Sequence, residues 1–514
     1  MDVVIAVDSS TTSSKAVAFD ANGEVVAVGR ASIERWSPQP AWHEQDANAW
    51  WDSSARALTQ LMAELAGEAH TPIALGITHQ RESFVCLDAA FEPVRPAILW
   101  LDARSGVEVQ ELGTQRVSSL SGKPPSTTPS FYKIAWLKKH EPGVVESAAH
   151  ISDVHALLSQ RLTGHFATSV ASADPMGLID VASGSWSDEL LGEVGVRREQ
   201  LPTLLAPGEL VGRVTTEAAA VTGLPVGLPV VAGGGDGQCA GLGAGITEPG
   251  TAYLSLGTSI TLGCHVESAD FSRSYRLLTS PTGAGLTAES FIASGALSVS
   301  WFRQAFPCAG APETVCVDDA FDASLEATAA TQGNLYFLPY LSGSATPYWD
   351  DKARGSFVGI NEGHGWADFY RAVLEGLAFE IALLLKGLQQ GGERIDSAVV
   401  TGGGSASDRW LHIIADITGV PLRVAGTTEA TALGAAMLAA AAVGFAGTGL
   451  EQVVAAMSST ARVVAPRDEQ HLRAKQRLGT YELIYGALAP VFEKSSHVDM
   501  AAGAATGMLE GNEA

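Results

Sequence analysis

An aspartate followed by a run of hydroxyl residues stands near the start of the chain. Asp8 ends an apolar run, residues 9–14 are all Ser or Thr, and Lys15 comes next. A carboxylate beside hydroxyl groups and backbone amides can bind a phosphate and its Mg²⁺, and a lysine adds a point charge. The alternative is an ordinary polar turn with a surface lysine. The pattern makes this turn a candidate phosphate site.

A second aspartate, Asp236, follows the three glycines 233–235 at the end of the apolar run 229–232. An aspartate in this position can cap a helix. It can also act as a general base, presented at the carboxyl end of a strand. In that interpretation, the neighbouring glycines let a substrate hydroxyl approach the carboxylate.

A dense group of polar side chains forms the third candidate. Residues 78–82 read Thr-His-Gln-Arg-Glu, and Trp100 and Asp102 follow about twenty residues later. Arg81 and Glu82 together offer donors and acceptors that suit the vicinal hydroxyls of a polyhydroxylated ligand. A surface ion pair is the alternative.

Two further turns could contact a nucleotide. Residues 257–259 read Gly-Thr-Ser between two apolar runs, and glycines 402–404 stand between a predicted strand and a predicted helix. Glycines allow a close approach to the backbone, and a helix N-terminus favours anions. Plain structural turns remain the alternative. The chain has no Walker A sequence and no complete G-x-G-x-x-G, which argues against P-loop and Rossmann sites.

Short apolar runs that alternate with helical stretches must position these residues. Strands are predicted at 3–7, 15–19, 24–29, 73–78, 85–87, 229–232 and 398–401, and helices at 48–68 and 408–418. Residues 252–264 repeat the strand, hydroxyl turn and strand of residues 3–19, half a chain length later. This alternation predicts an α/β fold, and the repeat predicts two similar halves with a cleft between them.

Composition limits the class of protein. The chain has 514 residues, which suggests two to four domains, and its net charge of -24 argues against nonspecific binding to nucleic acid or anionic membranes. Five cysteines without a C-x-x-C and an N-terminus without a signal pattern predict a cytoplasmic protein with neither a disulfide framework nor a zinc site. The uncharged stretch 430–450 is predicted to be a buried helix followed by a turn, because Ala and Gly give weak membrane transfer.

Two long segments resemble the signatures of the FGGY family of carbohydrate kinases. Residues 130–137 read SFYKIAWL, and residues 355–360 and 368–375 read GSFVGI and DFYRAVLE. The resemblance extends from Asp8 to about Gly444. It implies two ribonuclease-H-like (actin-like ATPase) domains with a central cleft, and transfer of the γ-phosphoryl of ATP, with Mg²⁺, to a sugar or polyol hydroxyl.

The resemblance also implies roles for individual residues. Asp236 matches the catalytic base, and Asp8 is the residue expected to anchor the metal. The residues that match phosphate or adenosine contacts are Asp8, Thr11, Thr12, Ser13, Lys15, Gly257, Thr258, Gly402, Gly403 and Asp408. The residues that match or flank the substrate contacts are His79, Gln80, Arg81, Glu82, Trp100, Asp102 and Asp236.

The substrate implied by the resemblance is a ketopentose such as xylulose, with glycerol or an erythritol-type polyol as the alternative. Residues 42–46, 95–100 and 337–343 are similar to xylulokinases, which usually carry Met-His where this chain has Arg81-Glu82. That pair is similar to glycerol kinases, as are residues 347–350 and 429–436. However, Thr128 stands where glycerol kinases place an aromatic residue.

The predicted domains are residues 1–245, with the sugar site and first phosphate turn, and residues 246–490, with the second phosphate turn and adenosine site. A disordered tail is predicted at 494–514, and a homodimer is left open. A different class also stays open, namely an actin-like ATPase or a non-catalytic sensor of sugar and ATP.

Overall fold

The chain forms two compact units in the computed structural model, which describes residues 1–67, 70–268, 271–306 and 334–509, with side chains as far as residue 495. Unit 1 comprises Met1–Tyr253, Gly263–Glu289 and Ala425–Ala461, and unit 2 comprises Leu254–Leu262, Ser290–Val424 and Arg462–Ala514. Both units are discontinuous in sequence, whereas the sequence predicts a single boundary near residue 245.

The strands are β1 (Asp2–Ser9), β2 (Ser13–Phe19), β3 (Val25–Ser32), β4 (Glu44–Gln45), β5 (Thr71–His79), β6 (Phe84–Leu87), β7 (Ala97–Ile98), β8 (His150–Asp153), β9 (Ala167–Ser169), β10 (Ile179–Asp180), β11 (Ser185–Trp186), β12 (Thr203–Leu205), β13 (Leu210–Arg213), β14 (Pro229–Gly235), β15 (Gly250–Leu256), β16 (Ile260–Val266), β17 (Arg276–Thr279), β18 (Leu286–Ile292), β19 (Tyr336–Leu338), β20 (Ser356–Val358), β21 (Ile395–Thr401), β22 (Leu422–Ala425) and β23 (Thr460–Val464).

The α-helices are α1 (Asn48–Ala66), α2 (Gly106–Leu112), α3 (Gln115–Ser121), α4 (Ser130–His140), α5 (Pro142–Ser147), α6 (Val154–Thr163), α7 (Val170–Ala173), α8 (Asp188–Val194), α9 (Thr216–Thr222), α10 (Asp236–Gly243), α11 (Ala296–Ala305), α12 (Trp366–Gln390), α13 (Asp408–Thr418), α14 (Ala430–Val443), α15 (Leu450–Met457) and α16 (Asp468–Leu509). Short 3₁₀ turns occur at Asp174–Met176, Arg198–Gln200 and Gly403–Ala406.

Unit 1 is built on a six-stranded sheet of order β13-β14-β5-β1-β2-β3. Strands β14, β5 and β1 run parallel to one another, and β2 and β3 follow as antiparallel hairpins. The β2–β3 turn uses Asn22 and Gly23, and the φ of 77° at Gly23 is the conformation that favours glycine in such a turn. Because the three central strands are parallel, their carboxyl ends meet at one edge of the sheet.

The central strand β1 is buried on both faces, as a continuous apolar run predicts. Val3, Ile5 and Val7 belong to the core cluster that also contains residues of α1 and α6. The intervening Val4 and Ala6 belong to a second cluster, which contains residues of α10 and α14. The sheet of unit 1 therefore lies between two helical layers.

In unit 2, β21 and β22 pair in parallel, and helices α12, α13 and α16 pack against one another. Helix α13 begins where the sequence predicts it, because the side chain of Ser407 accepts a hydrogen bond from the Trp410 amide. It ends at Gly419, whose φ of 72° suits a C-terminal glycine. The tip of the β15–β16 hairpin, Leu254–Leu262, also belongs to unit 2.

Most of the local predictions agree with the elements, and some residues lie outside the described part. The helix predicted at 48–68 ends at Ala66, and Glu68 is not described. Cys86, Cys239 and Cys264 are buried, while Cys308 and Cys316 fall outside the described residues.

The last two segments with a prediction are both helical. The segment predicted as a buried helix forms α14, and no helix in the described ranges is long and apolar enough to cross a membrane. The tail predicted from 494 begins inside α16, whose helical backbone is described as far as Leu509; residues 510–514 are outside the described part, so disorder there stays a prediction.

Candidate active site

The two aspartates singled out in the sequence lie at the same edge of the unit 1 sheet. Asp8 pairs with Thr78 and Ser9 with His79, and on the other side of β5 Gly235 also pairs with His79. Asp236 follows Gly235 directly and is the first residue of α10. The parallel register of three strands thus gathers residues that are far apart in the sequence.

Asp236 is placed where a substrate could reach it. Its side chain is 42% exposed, although the strand that leads to it is buried. Its Oδ1 accepts a hydrogen bond of 2.7 Å from the Gly237 amide. A carboxylate at the N-terminus of a helix is stabilised by the free amides there, so the site presents a partly exposed anion on a rigid support.

The glycines around Asp236 make room for other parts of unit 1. A Cβ atom on Gly233 would lie 1.8 Å from the carbonyl oxygen of Ile77, and one on Gly235 would lie 2.4 Å from Cγ and Cδ of Arg81. The sequence predicts that the space beside these glycines admits a substrate hydroxyl. In the structure, the side chain of Arg81 occupies the space beside Gly235.

Arg81 joins Asp236 to a buried ionic cluster. Its Nε lies 2.7 Å from Oδ1 of Asp236, and its Nη1 donates to both oxygens of Glu289 at 2.9 and 3.0 Å. Arg276 contacts the same carboxylate through Nε at 2.8 Å and Nη2 at 2.6 Å. The Tyr253 hydroxyl donates to Glu289 Oε2 at 2.5 Å. Burial alone would raise the pKa of Glu289, but Arg81 and Arg276 hold it at about 2.

Glu82 belongs to the same cluster. Its Oε1 accepts from Arg276 Nη1 at 2.5 Å, and its carbonyl oxygen accepts from the Ser130 hydroxyl at 2.9 Å. Its backbone φ is 59°, a left-handed conformation that is uncommon outside glycine. Ser130 is the first residue of α4 and of the first signature, so this segment helps to fix the position of the predicted substrate pair.

Asp8 has the environment of a cation ligand. Among the described residues, no hydrogen-bond donor contacts its buried Oδ1. Burial, and next the neighbouring Asp236 carboxylate, raise the pKa of Asp8 to about 7, against the opposite effect of Lys15. A divalent cation would compensate such a charge, so the residue fits the predicted metal.

Any metal at Asp8 would need ligands from elsewhere. Among the residues that the structure describes, no three or more His, Cys, Asp or Glu side chains are grouped to hold one. Phosphate oxygens are ligands of the required kind.

Lys15 is paired with a residue that was not predicted to belong to the site. Its Nζ lies 2.8 and 3.1 Å from the two carboxylate oxygens of Glu429, which precedes α14. Arg30 lies 3.8 Å from the same carboxylate. The structure therefore places Lys15 opposite Asp8 in the β1–β2 hairpin, with an ion-pair partner from a distant part of unit 1.

Side chains and backbone groups hold the hydroxyl turn in place. The Thr11 hydroxyl accepts from the Trp100 indole at 2.9 Å, and the Thr11 carbonyl accepts from Gln45 Nε2 at 2.5 Å. The Thr12 carbonyl accepts from the Ile33 amide, and the Ser13 carbonyl accepts from the Ser10 amide and hydroxyl. The structure thus joins the predicted phosphate turn to Trp100 of the predicted sugar group.

Three of the predicted sugar contacts make hydrogen bonds within the protein. His79 is buried and its Nδ1 lies 2.6 Å from the Gln80 carbonyl. Gln80 donates to Gln45 and accepts from Ser83. Asp102 is buried and accepts from Arg104 and from the His43 amide. These bonds stabilise the loops, and direct contact of His79, Gln80 and Asp102 with a substrate stays a prediction.

A buried lysine of the first signature also contacts the backbone of Trp100. Lys133 donates to the carbonyl oxygens of Trp100 at 3.2 Å and of Thr128 at 2.5 Å. Burial lowers the pKa of Lys133 to about 7. A cation that satisfies carbonyl groups in this way ties α4 to the loop that carries Trp100.

Unit 2 brings its own predicted residues together. The Gly257 carbonyl accepts from the Ala296 amide at 2.9 Å, which fixes the second turn at the start of α11. Gly402 has a φ of 83°, and a Cβ there would lie 2.9 Å from the Leu256 carbonyl, whereas one on Gly403 would meet nothing within 4 Å. Asp408 is exposed and pairs with Arg462.

Sequence reasoning missed Glu289, Arg276 and Tyr253. Arg276 and Glu289 stand directly opposite each other in the β17–β18 hairpin. The sequence did carry one signal for them. Each of two largely apolar strands contains a charged residue, and charged residues are rarely buried in a core unless they are paired. Glu429 was noted only within a segment similar to glycerol kinases.

Comparison with known proteins gives a consistent result. Residues 3–243 match the N-terminal domain model, and residues 252–443 the C-terminal domain model, of the FGGY family of carbohydrate kinases. The chain is 32% identical over 454 residues to a xylulose kinase from Escherichia coli, covering 85% of this chain and 89% of that one. It is 32% identical over 498 residues to a glycerol kinase from Alkalilimnicola ehrlichii, covering 93% and 97%.

The fold is similar to solved kinases. The crystal structure of a xylulose kinase from Rhodospirillum rubrum superposes with a TM-score of 0.87 at 27% identity, covering 96% of this chain and all of that one. The predicted α/β class, with two sheet-containing domains of the actin-like type, is confirmed.

Proposed function

The chain belongs to the FGGY family of carbohydrate kinases, and from that premise we propose that it transfers the γ-phosphoryl group of ATP to a hydroxyl of a ketopentose, specifically xylulose. The observation that carries the proposal is Asp236. It is a partly exposed carboxylate at the end of a buried strand and the start of a helix, beside Arg81.

In the proposed reaction, Asp236 accepts the proton of the substrate hydroxyl as the hydroxyl oxygen attacks the γ-phosphorus, and the bond from that phosphorus to the bridging oxygen of ADP breaks. Phosphoryl transfer depends mainly on positioning and on stabilising the charge of the transferred group. Arg81, held by Glu289 at its other end, fixes one oxygen of the base. Thr11, Thr12, Ser13 and Lys15 are the proposed first phosphate contacts.

Members of this family use ATP with a divalent metal, and we assign Mg²⁺ as that metal. Asp8 would hold it, since its buried carboxylate includes an oxygen that no described donor satisfies. When bound, the cation neutralises phosphate charge. In unit 2, Gly257, Thr258, Gly402, Gly403 and Asp408 are the proposed contacts of the nucleotide.

Xylulose is supported by the relatives named xylulose kinase and by the segments that resemble them. Glycerol or an erythritol-type polyol is the second candidate. Two observations favour it. Arg81 and Glu82 form the pair that is similar to glycerol kinases, and they lie in the candidate site. Relatives named glycerol kinase also match this chain at an identity similar to that of the xylulose kinases.

The test is a measurement of ADP release with magnesium, ATP and one acceptor at a time: xylulose, ribulose, glycerol or erythritol. We expect the highest kcat/KM with xylulose. A preference for glycerol or erythritol would contradict the ketopentose assignment but would still support kinase activity. ATP hydrolysis that no acceptor stimulates would contradict the kinase itself and favour an actin-like ATPase, while ATP binding without turnover would favour a sensor.

A further inference from the structure

The carbonyl oxygens of the hydroxyl turn accept hydrogen bonds from the protein. Those of Thr12 and Ser13 accept from backbone amides at 2.8 and 2.9 Å. The carbonyl oxygen of Thr11 differs, because its donor is a side chain, Nε2 of Gln45, at 2.5 Å. A single substitution of Gln45 can therefore remove this hydrogen bond and leave the sequence of the turn unchanged.

The amide group of Gln45 is held in one orientation. Gln45 is fully buried, and its Oε1 accepts from the Trp50 indole at 2.9 Å. Because an indole N–H can only donate, the amide oxygen must face Trp50, and the amide nitrogen must then face the Thr11 carbonyl. Gln80 also donates to the same Oε1, at 3.4 Å. Two residues outside the turn thus fix the donor that the Thr11 carbonyl receives.

This hydrogen bond also sets the direction of the next backbone amide. The peptide bond between Thr11 and Thr12 is trans, and in a planar trans peptide the C=O and the N–H point in opposite directions. Since the Thr11 carbonyl points at the buried Gln45, the Thr12 N–H points away from Gln45. Thr12 is exposed, and among the described residues none accepts a hydrogen bond from its amide. The amide is therefore available to a ligand.

The hydroxyl group of Thr11 is arranged in the same way. Its Oγ1 accepts from the Trp100 indole at 2.9 Å. Because the indole can only donate, the hydroxyl proton takes no part in that bond and can be donated to another acceptor. The two oxygens of Thr11 thus receive donors from the protein, while the Thr11 hydroxyl and the Thr12 amide remain as donors. Such a pair of donors in a turn suits an anion.

We propose that Gln45 is a positioning residue that holds the Thr11–Thr12 peptide with its N–H toward the phosphates of ATP and its carbonyl oxygen away from them. This inference rests on the proposed function, which takes the turn as a phosphate contact. The turn follows β1 at the sheet edge that also carries Asp236, so it faces the transferred end of ATP. Without Gln45 the peptide can rotate, and a carbonyl oxygen that turns toward a phosphate repels it.

The first test is Gln45→Met, because methionine is of similar length and has neither a donor nor a charge. Both dissociation constants below are measured by calorimetry at constant free magnesium and without an acceptor. We expect the Kd of ATP to rise about tenfold or more, the loss that corresponds to one hydrogen bond with a charged group. The Kd of AMP, which lacks the β- and γ-phosphates, should rise less than about twofold. A general loosening of the structure would weaken both nucleotides alike.

The matched control is Gln200→Met, the same substitution at another buried glutamine of unit 1. Gln200 also donates to backbone carbonyls, those of Val145 and Ala148, at 3.0 and 2.8 Å. Because these carbonyls lie outside the turn, the control should keep both dissociation constants within about twofold of the wild type.

A second variant, Gln45→Asn, keeps the amide but is one methylene shorter, so it can no longer bond both Trp50 and Thr11. If Gln45→Met does not fold, Gln45→Asn decides. Weaker binding of ATP with unchanged binding of AMP supports the proposal, and wild-type affinity for ATP overturns it.

A crystal structure of the folded variant shows the peptide directly. We expect the Thr11 carbonyl to have turned away from residue 45. A carbonyl that keeps its direction would overturn the inference, as would an unchanged affinity for ATP. These measurements also separate the inference from the proposed function. If the wild type phosphorylates no acceptor, the proposed function fails, and the affinities for ATP and AMP still decide the role of Gln45. If the wild type binds ATP no more tightly than AMP, the inference fails even where transfer is observed.

Discussion

At the scale of single residues, the assignment of Asp236 as the general base is the part of the interpretation that one substitution tests most directly. Asp236→Asn replaces the carboxylate with an amide of the same shape, which cannot accept a proton at neutral pH. Since general-base catalysis contributes about 10²–10⁴ in rate, we expect turnover to fall at least about a hundredfold. ATP binding, measured by calorimetry, should be retained because the proposed nucleotide contacts are other residues. Near-normal turnover in the folded variant would contradict the assignment.

The sequence was sufficient to single out Asp8, Lys15, Arg81 and Asp236 as candidates, because each follows or flanks a strand whose apolar run is easy to recognise. It could not reveal that Arg81 is shared between Asp236 and Glu289. That arrangement depends on a hairpin about two hundred residues further along the chain. The charged residues of the hairpin have no local motif, and only their burial in the fold distinguishes them from surface ion pairs.

At the scale of elements, the support of the base depends on close packing between α10 and α14. A Cβ on Gly434 would lie 2.0 Å from the Cys239 carbonyl oxygen. Gly434→Ala must therefore push α14 away from the helix that begins at Asp236. We expect a loss of about 2–3 kcal/mol in the free energy of unfolding, measured by denaturant titration, together with reduced kcat.

Gly486→Ala is the matched control for this substitution. Gly486 also lies within a helix, α16, and a Cβ there would meet nothing within 4 Å. Since alanine is the better helix former, the control should gain about 0.5–1 kcal/mol. Equal effects of the two substitutions would show that the α10–α14 contact carries no special constraint.

A buried carboxyl group in unit 2 links two helices and a loop and should make stability depend on pH. Glu380 of α12 accepts hydrogen bonds of 2.7 Å from both Tyr340 and Tyr481, the latter on α16. Burial raises the pKa of Glu380 from 4.5 to about 7, although the tyrosine hydroxyls oppose this. Because the folded state then holds a proton that the unfolded chain releases, stability should fall as pH rises from 4.5 to about 7.

Glu380→Gln should remove that fall. The amide oxygen can still accept from the tyrosines, and no charge has to be buried. At pH 8 the variant should be more stable than the wild type by up to about 3 kcal/mol, which corresponds to the difference between the two pKa values. At pH 5 the advantage should largely disappear. Denaturant titrations at both pH values measure this, and an advantage of the same size at pH 5 and pH 8 would contradict it.

The elements themselves were largely predictable, whereas their assembly was not. Residues 408–418 were predicted as a helix from local signals and form α13, and the three strands of the first hairpins were found in the same way. The contacts that place Ala425–Ala461 in unit 1 join segments separated by hundreds of residues. These contacts arise from helix packing that no local sequence pattern encodes. The sequence therefore predicted only a single domain boundary near residue 245.

At the scale of the whole molecule, the net charge of -24 opposes the approach of every anion, including ATP. The cations near the proposed phosphate turn do not offset this negative charge, because carboxylates neutralise them. Lys15 is paired with Glu429, and Arg81 is paired with Asp236 and Glu289. Binding of ATP therefore depends on short-range contacts that act only after the long-range repulsion has been overcome.

This balance predicts an unusual response to salt. The Debye length falls from about 30 Å at 0.01 M ionic strength to about 8 Å at 0.15 M, so added salt should screen the repulsion before ATP reaches its contacts. We expect the association rate of a fluorescent ATP analogue, measured by stopped flow at constant free magnesium, to rise about two- to tenfold over this range. A neutral acceptor, followed by the change in protein fluorescence on binding, should associate at the same rate throughout. A rate that falls with salt for the nucleotide would mean that a local positive field governs its approach, and that the global charge of this chain is irrelevant to the encounter.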